Sequence, residues 1–223
     1  MILPDQIIKS SRSTLSLTVQ KDGSVIVRAP SRIKDDHIEQ FVMQKQQWLA
    51  EKLASVRLNQ NLNKDIIEYQ KFLLYGVRYS LKVVDVKAFE TNGQDILCPK
   101  KLGQNKLMHG LILWYKRKAK DVLTKRIAYL QERLKISPNS VKITGSKGRW
   151  GSCNTNGTIA LNWRVIMLPP ACIDYVLVHE LCHLVEMNHS KRFWSLVGAF
   201  MPNFSEYRGQ INHYGFLLEL YRE

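Results

Sequence analysis

Residues 175–184 read Tyr175-Val-Leu-Val-His-Glu-Leu-Cys-His-Leu184. On a helix, His179 and His183 stand at i and i+4, on one face, so both imidazoles can address a single ion. Glu180 follows the first histidine and reaches the same region. This is the H-E-x-x-H arrangement, in which the carboxylate acts as general base on a metal-activated water. Pro169-Pro170 marks the helix start, because proline is tolerated in the first turn. Ile173, Val176, Leu177, Leu181 and Leu184 supply an apolar body that holds the ligands rigidly, and a helix from Ala171 to about Met187 is predicted.

A hydrolytic zinc needs three protein ligands and one open position. The next histidine downstream is His189, in Asn188-His189-Ser190, where the first helix should end and the chain can turn back toward the ion. Ser190 is placed to cap a following helix, from about Ser190 to Phe200, which Pro202 stops. A site of three histidines, His179, His183 and His189, is therefore expected, with zinc as the cofactor that imidazole ligands suit. Glu186, three residues beyond His183 on the same helix, is poorly placed. Glu206 and His213, on a last helix from about Ser205 to Tyr221, are the other candidates.

Upstream, Val141–Thr144 and Thr158–Trp163 read as strands around Gly145-Ser-Lys-Gly-Arg-Trp-Gly-Ser-Cys153. The glycines permit tight turns and close approach of another chain. A strand edge here can take an extended peptide through main-chain hydrogen bonds. Lys147 and Arg149 are the substrate-binding candidates, for a carboxylate, a phosphate or a developing oxyanion. The alternative is a plain hairpin with a packed Trp150. Cys153 reads as a small buried thiol ahead of a ligand or nucleophile.

The N-terminal part, about residues 1–100, reads as β-rich. Leu15–Gln20 alternates apolar and polar, Asp22-Gly23 turns, and Ser24–Arg28 is β-branched, which is a hairpin signature. Asp35 and Asp36 are placed as N-cap and first-turn acid of a helix with Ile38, Phe41, Val42, Trp48, Leu49 and Leu53 on its apolar stripe. Strands follow at Lys71–Leu74 and Tyr79–Val86 around a Gly76 turn, then Asp95–Cys98 after Asn92-Gly93. His109–Ile136 is a long helix whose other face carries Lys116, Arg117, Lys118, Lys120, Lys125 and Arg126, either solvated or anion-binding. The expected layout is α+β, with a catalytic part from about residue 105 to 223.

The chain has 223 residues, enough for one domain with a real core. No stretch approaches the roughly 20 apolar residues of a membrane span, and the start lacks a basic, then apolar, secretory pattern. A cytoplasmic location is expected, and four cysteines without a C-x-x-C pair fit a reducing compartment. A net charge of +14 suits polyanionic partners such as nucleic acid, nucleotides or acidic peptides, or is only a basic soluble surface.

Gly148-Arg-Trp-Gly-Ser-Cys153, Leu161-Asn-Trp-Arg164, Pro169-Pro170, Tyr175–Leu184 and Met187-Asn-His-Ser-Lys-Arg-Phe-Trp194 together resemble the YgjP-like metallopeptidase family, related to the SprT and WLM groups of zincin-like proteases. Arg12-Ser-Thr-Leu-Ser-Leu and Gly23–Pro30 resemble its opening hairpin. The resemblance implies a zincin-like catalytic domain with a mixed sheet, spanning residues 1–223, with His179, His183 and His189 as ligands and Glu180 as base. It implies a peptide or protein substrate. Two other functions stay open: a metal-dependent nucleoside triphosphate pyrophosphatase, a label some members carry, and a nucleic-acid-associated protein with a structural zinc.

Overall fold

The computed structural model describes residues 1–69 and 71–220. The chain divides into two compact units, Met1–Asn63 and Lys64–Glu223. It is a mixed α+β protein, and no described helix is long and apolar enough to cross a membrane.

In the first unit, strands β1 (Gln6–Ser10), β2 (Ser16–Val19) and β3 (Val25–Pro30) form a sheet of order β1-β3-β2. The expected hairpin is β2 and β3, antiparallel. β1, a strand not expected from the sequence, joins β3 in parallel and is exposed along most of its length. Val25, Val27 and Ala29 alternate inward onto Ile38, Val42 and Leu49. The expected single helix is two, α1 (Asp35–Gln44) and α2 (Gln46–Tyr69), broken at Lys45. Lys34 takes the N-cap position without a side-chain cap, so Asp35 and Asp36 are both first-turn acids, and Lys9 pairs with Asp35 at 2.7 Å.

In the second unit, β4 (Lys71–Leu74), β5 (Val77–Val84), β6 (Glu90–Asn92) and β7 (Asp95–Pro99) form a sheet of order β4-β5-β7-β6. Both expected glycine turns close antiparallel pairs, β4 with β5 and β6 with β7. Gly76 has φ +76°, and a Cβ there would lie 2.9 Å from Pro169 Cγ, so only glycine lets this turn dock on the start of the next-but-one helix. The long helix α3 (Gln104–Leu134) begins before the expected His109. Its Tyr115 hydroxyl donates to the Leu73 carbonyl at 2.8 Å.

A third sheet joins β8 (Ser140–Thr144), β9 (Gly151–Cys153) and β10 (Thr158–Asn162) in the order β8-β10-β9. Trp163 leaves the expected strand and opens a short 3-10 turn, Trp163–Met167, buried throughout. Then comes α4 (Pro170–Cys182), with Pro170 in its first turn and nine of its residues buried. Such all-round burial belongs to a helix at the centre of a core. Arg126 and Asp174 form a two-pronged pair at 2.7 Å that ties α3 to α4. The chain ends in α5 (Lys191–Phe200) and α6 (Phe204–Asn212). The single last helix expected to Tyr221 is interrupted after Asn212 and resumes as a 3-10 turn over Gly215–Glu219; Tyr221 lies outside the described residues. Buried Arg164 donates through Nε, at 3.0 Å, and Nη2 to the Leu220 carbonyl, fixing that return.

Candidate metal centre

The centre is built on the last turn of α4. The helix stops at Cys182 rather than near Met187, because the backbone tightens: Leu184, Val185 and Glu186 amides donate three or four residues back, to Leu181 and Cys182 carbonyls. This turn brings the Glu186 carbonyl to 3.1 Å from His183 Nδ1. A carbonyl only accepts, so Nδ1 carries the proton and donates, and Nε2 of the neutral ring keeps a free lone pair. The backbone thus sets the tautomer of this candidate ligand.

Chain direction then reverses, and Ser190 Oγ accepts from the Phe193 amide at 3.2 Å, capping α5 as expected. His189, just before the cap, is carried back over α4. The structure brings His179, His183 and His189 together, with ligand atoms all within 4.8 Å of one another. His179 Nε2 is 3.2 Å from His183 Nε2 and 3.0 Å from His189 Nε2. Two nitrogens on one tetrahedral zinc lie about 3.4 Å apart, from bond lengths of about 2.0–2.1 Å. The observed edges are close to that value. Burial, then the neighbouring His183 and His189, pull His179 down to about 3, and burial also lowers His183. Both rings are therefore neutral near pH 7, the form that binds a metal.

Glu180 is 5% exposed, and its Oε2 has no hydrogen-bond partner. Burial pushes its carboxyl up to about 8, with the Arg149 guanidinium pulling the other way. Three converging nitrogens, with a buried and unpartnered carboxylate oxygen on the residue after His179, fit a cation and its water. The donor set therefore fits a zinc-like ion. Cys182, between the two histidines in sequence, is pushed up to about 12 by burial and stays a thiol. Cys153 is half-buried, and burial and the Glu180 charge both raise its thiol.

Arg149 and Lys147 are both exposed on the turn between β8 and β9; Arg149 acts on Glu180 electrostatically, and Lys147 stands on the same turn without a described contact to the centre. Glu206 and His213 are not part of the histidine group: Glu206 is exposed and accepts from Gln210. Glu186 contributes its carbonyl, while its carboxylate faces Arg192 at 4.0 Å.

Sequence reasoning missed the aromatic seat. The Phe193 ring is centred 4.4 Å from His183 and 4.9 Å from both His179 and His189. Trp194 stacks on His189 and on Phe204, and the Arg208 guanidinium lies over the Trp194 ring, 4.6 Å from its centroid. The signal was available: Ser190 as a cap makes Phe193 the third helical residue, facing back across the cap.

Gly151 is the second missed residue. A Cβ at this position would lie 2.5 Å from Glu180 Oε1 and 2.8 Å from Cγ and Cδ. The bare backbone of β9 is therefore the wall against which Glu180 rests. Gly151→Ala is expected to displace the carboxylate and reduce turnover about 10²-fold, as misplacement by an ångström does, with metal content unchanged. Turnover near that of the parent protein would show that Glu180 does not need this wall.

The arrangement defines a metallohydrolase-type centre. The family model described as YgjP-like, metallopeptidase domain, matches residues 13–214, and the chain belongs to that family. A metal ion follows from this membership and from the histidine group. No curated protein matches the chain. Among solved structures, the crystal structure of the metallopeptidase zymogen of Pyrococcus abyssi abylysin is 26% identical, with a TM-score of 0.37, covering 40% of this chain and 90% of its own.

Proposed function

We propose that the protein is a zinc metallopeptidase of zincin-like architecture, with His179, His183 and His189 as the metal ligands and Glu180 as general base. The observation that carries the reading is the convergence of three imidazoles, with the unpartnered, buried Glu180 Oε2 on the residue that follows His179 in α4. A bound zinc supplies Lewis acidity, polarising a scissile carbonyl and lowering the pKa of water. Glu180 Oε2 takes the proton from the attacking water and later delivers it to the departing amine. β9 is an edge strand, so an extended substrate can align along it by main-chain hydrogen bonds, with Gly151 letting the Glu180 side chain lie against the strand. Arg149, exposed beside Glu180, is placed to hold negative charge that develops on the carbonyl oxygen. Phe193 and Trp194 hold the imidazoles in place.

The test is elemental analysis of purified protein together with hydrolysis of casein and of nucleoside triphosphates, before and after chelation. About one zinc per chain, casein cleavage lost on chelation and restored by zinc alone is the expected result. Release of pyrophosphate from nucleotides without casein cleavage would replace the peptidase by a phosphoanhydride hydrolase. Stoichiometric zinc with no hydrolysis of either would leave a structural site.

A further inference from the structure

A cavity of about 750 Å³ lies in the second unit, away from the histidines, lined by the middle of α3, the segment before β6, the end of β7 and the end of β8. Lys87, Lys116, Arg117 and Lys120 line it, and none of the described lining residues is acidic. Lys87, Arg117 and Lys120 are exposed and make no ion pair among the described residues. The helix side of the cavity is one face: Gly110, Leu113, Arg117 and Lys120 recur at the three-to-four spacing that stacks side chains. Leu113 is 45% exposed there, an aliphatic side chain between cations. At Gly110 a Cβ would lie 2.9 Å from Phe89 Cε2, so the glycine lets the Phe89 ring close against the helix as one wall of the cavity.

Charge alone would fit any polyanion, but the apolar element narrows the choice. The aromatic lining residues, Phe89 and Trp163, are 8% and 1% exposed, so neither offers a ring face for a base to stack on. An exposed leucine flanked by three or four cations fits a peptide with an apolar residue between acidic ones.

The position relative to Glu180 is fixed by the sheet. Thr144 pairs with Asn162 and Gly151 with Leu161, so the ends of β8 and β9 flank the end of β10. Two strand spacings make roughly 10 Å, about three residues of extended chain. Residues 145–150 bridge that distance, from the cavity lining at Gly145 to the wall of Glu180 at Gly151.

We propose that this cavity is a docking subsite for an acidic segment of the protein substrate, carrying an aliphatic residue among its carboxylates and lying several residues from the bond cleaved. The proposal rests on the metallopeptidase reading for the word substrate, and its test does not. Fluorescence anisotropy on the full chain at low salt would use a fluorescein-labelled Glu-Glu-Leu-Glu-Glu peptide, its Gln-Gln-Leu-Gln-Gln counterpart, and inorganic tripolyphosphate as competitor. The acidic peptide is expected to bind at least about tenfold tighter than the neutral one. Arg117→Glu with Lys120→Glu should weaken it by about tenfold or more, Arg117→Lys should retain it, and Glu180→Gln should leave it unchanged. Equal binding of the two peptides, or binding indifferent to the double charge reversal, would overturn the subsite. So would tripolyphosphate binding tightly where the peptide does not. Casein cleavage without peptide binding would sink the subsite and keep the peptidase; peptide binding without any hydrolysis would do the reverse.

Discussion

Glu180→Gln is expected to lower peptide turnover by about 10²–10⁴-fold while zinc content stays near that of the parent protein. The amide keeps the shape of the side chain against Gly151 and loses the ability to take a proton. Metal retention separates this outcome from collapse of the centre. A second readout comes from the metal-free protein. Its Glu180 carboxyl is held up at about 8 against an ordinary 4.5. A group whose folded pKa is raised gives stability that is full below the unfolded pKa and lost as pH rises toward the folded one. The melting temperature of metal-free protein should therefore carry a falling contribution between about pH 4.5 and 8, absent in Glu180→Gln. Unchanged turnover in the variant would end the general-base assignment.

The second large effect is at the ligands, and His189→Ala is the cleanest change. His189 is exposed, whereas His183 is 8% exposed and His179 carries the contacts of three aromatic rings. Truncating either of those also removes packing. His189→Ala is expected to leave the metal-free fold intact, to abolish stoichiometric zinc and to bring hydrolysis to background. An ion that binds only the folded chain stabilises it by about 4 kcal/mol at a thousandfold excess over Kd. Zinc should accordingly raise the melting temperature of the parent protein and not that of His189→Ala. A variant that still holds one zinc would transfer the third ligand elsewhere.

How much of this could be read from the sequence depends on the range of the interaction. His179 and His183 are brought together by helix geometry alone, so four residues of spacing were enough. His189 needed a chain reversal and a cap, and Ser190 announces the cap. The hairpins at Gly23, Gly76 and Gly93 were equally local, each a turn whose chemistry is written in two or three residues. The early end of α4 was not legible, because apolar residues continue to Leu184 and only the backbone turn onto His183 decides it. The split of the last helix at His213 and the parallel seat of β1 on β3 likewise depend on tertiary partners. Gly151 under Glu180 joins a strand to a helix, and no periodicity within either segment reports it. The basic face of α3 was legible as a face, but not as one wall of a cavity.

The three imidazoles differ in their access to water. His183 and its tautomer-setting carbonyl are enclosed by the tightened end of α4, and His179 is hemmed by rings, but His189 stands at the surface. A coordination shell built on these three, as proposed, would have its most exposed ligand at His189 and would open on that side. Ion exchange at such a site would then be a matter of how readily the short turn over residues 184–190 yields, and the core helix would not need to loosen for a metal to be surrendered to a competing chelator.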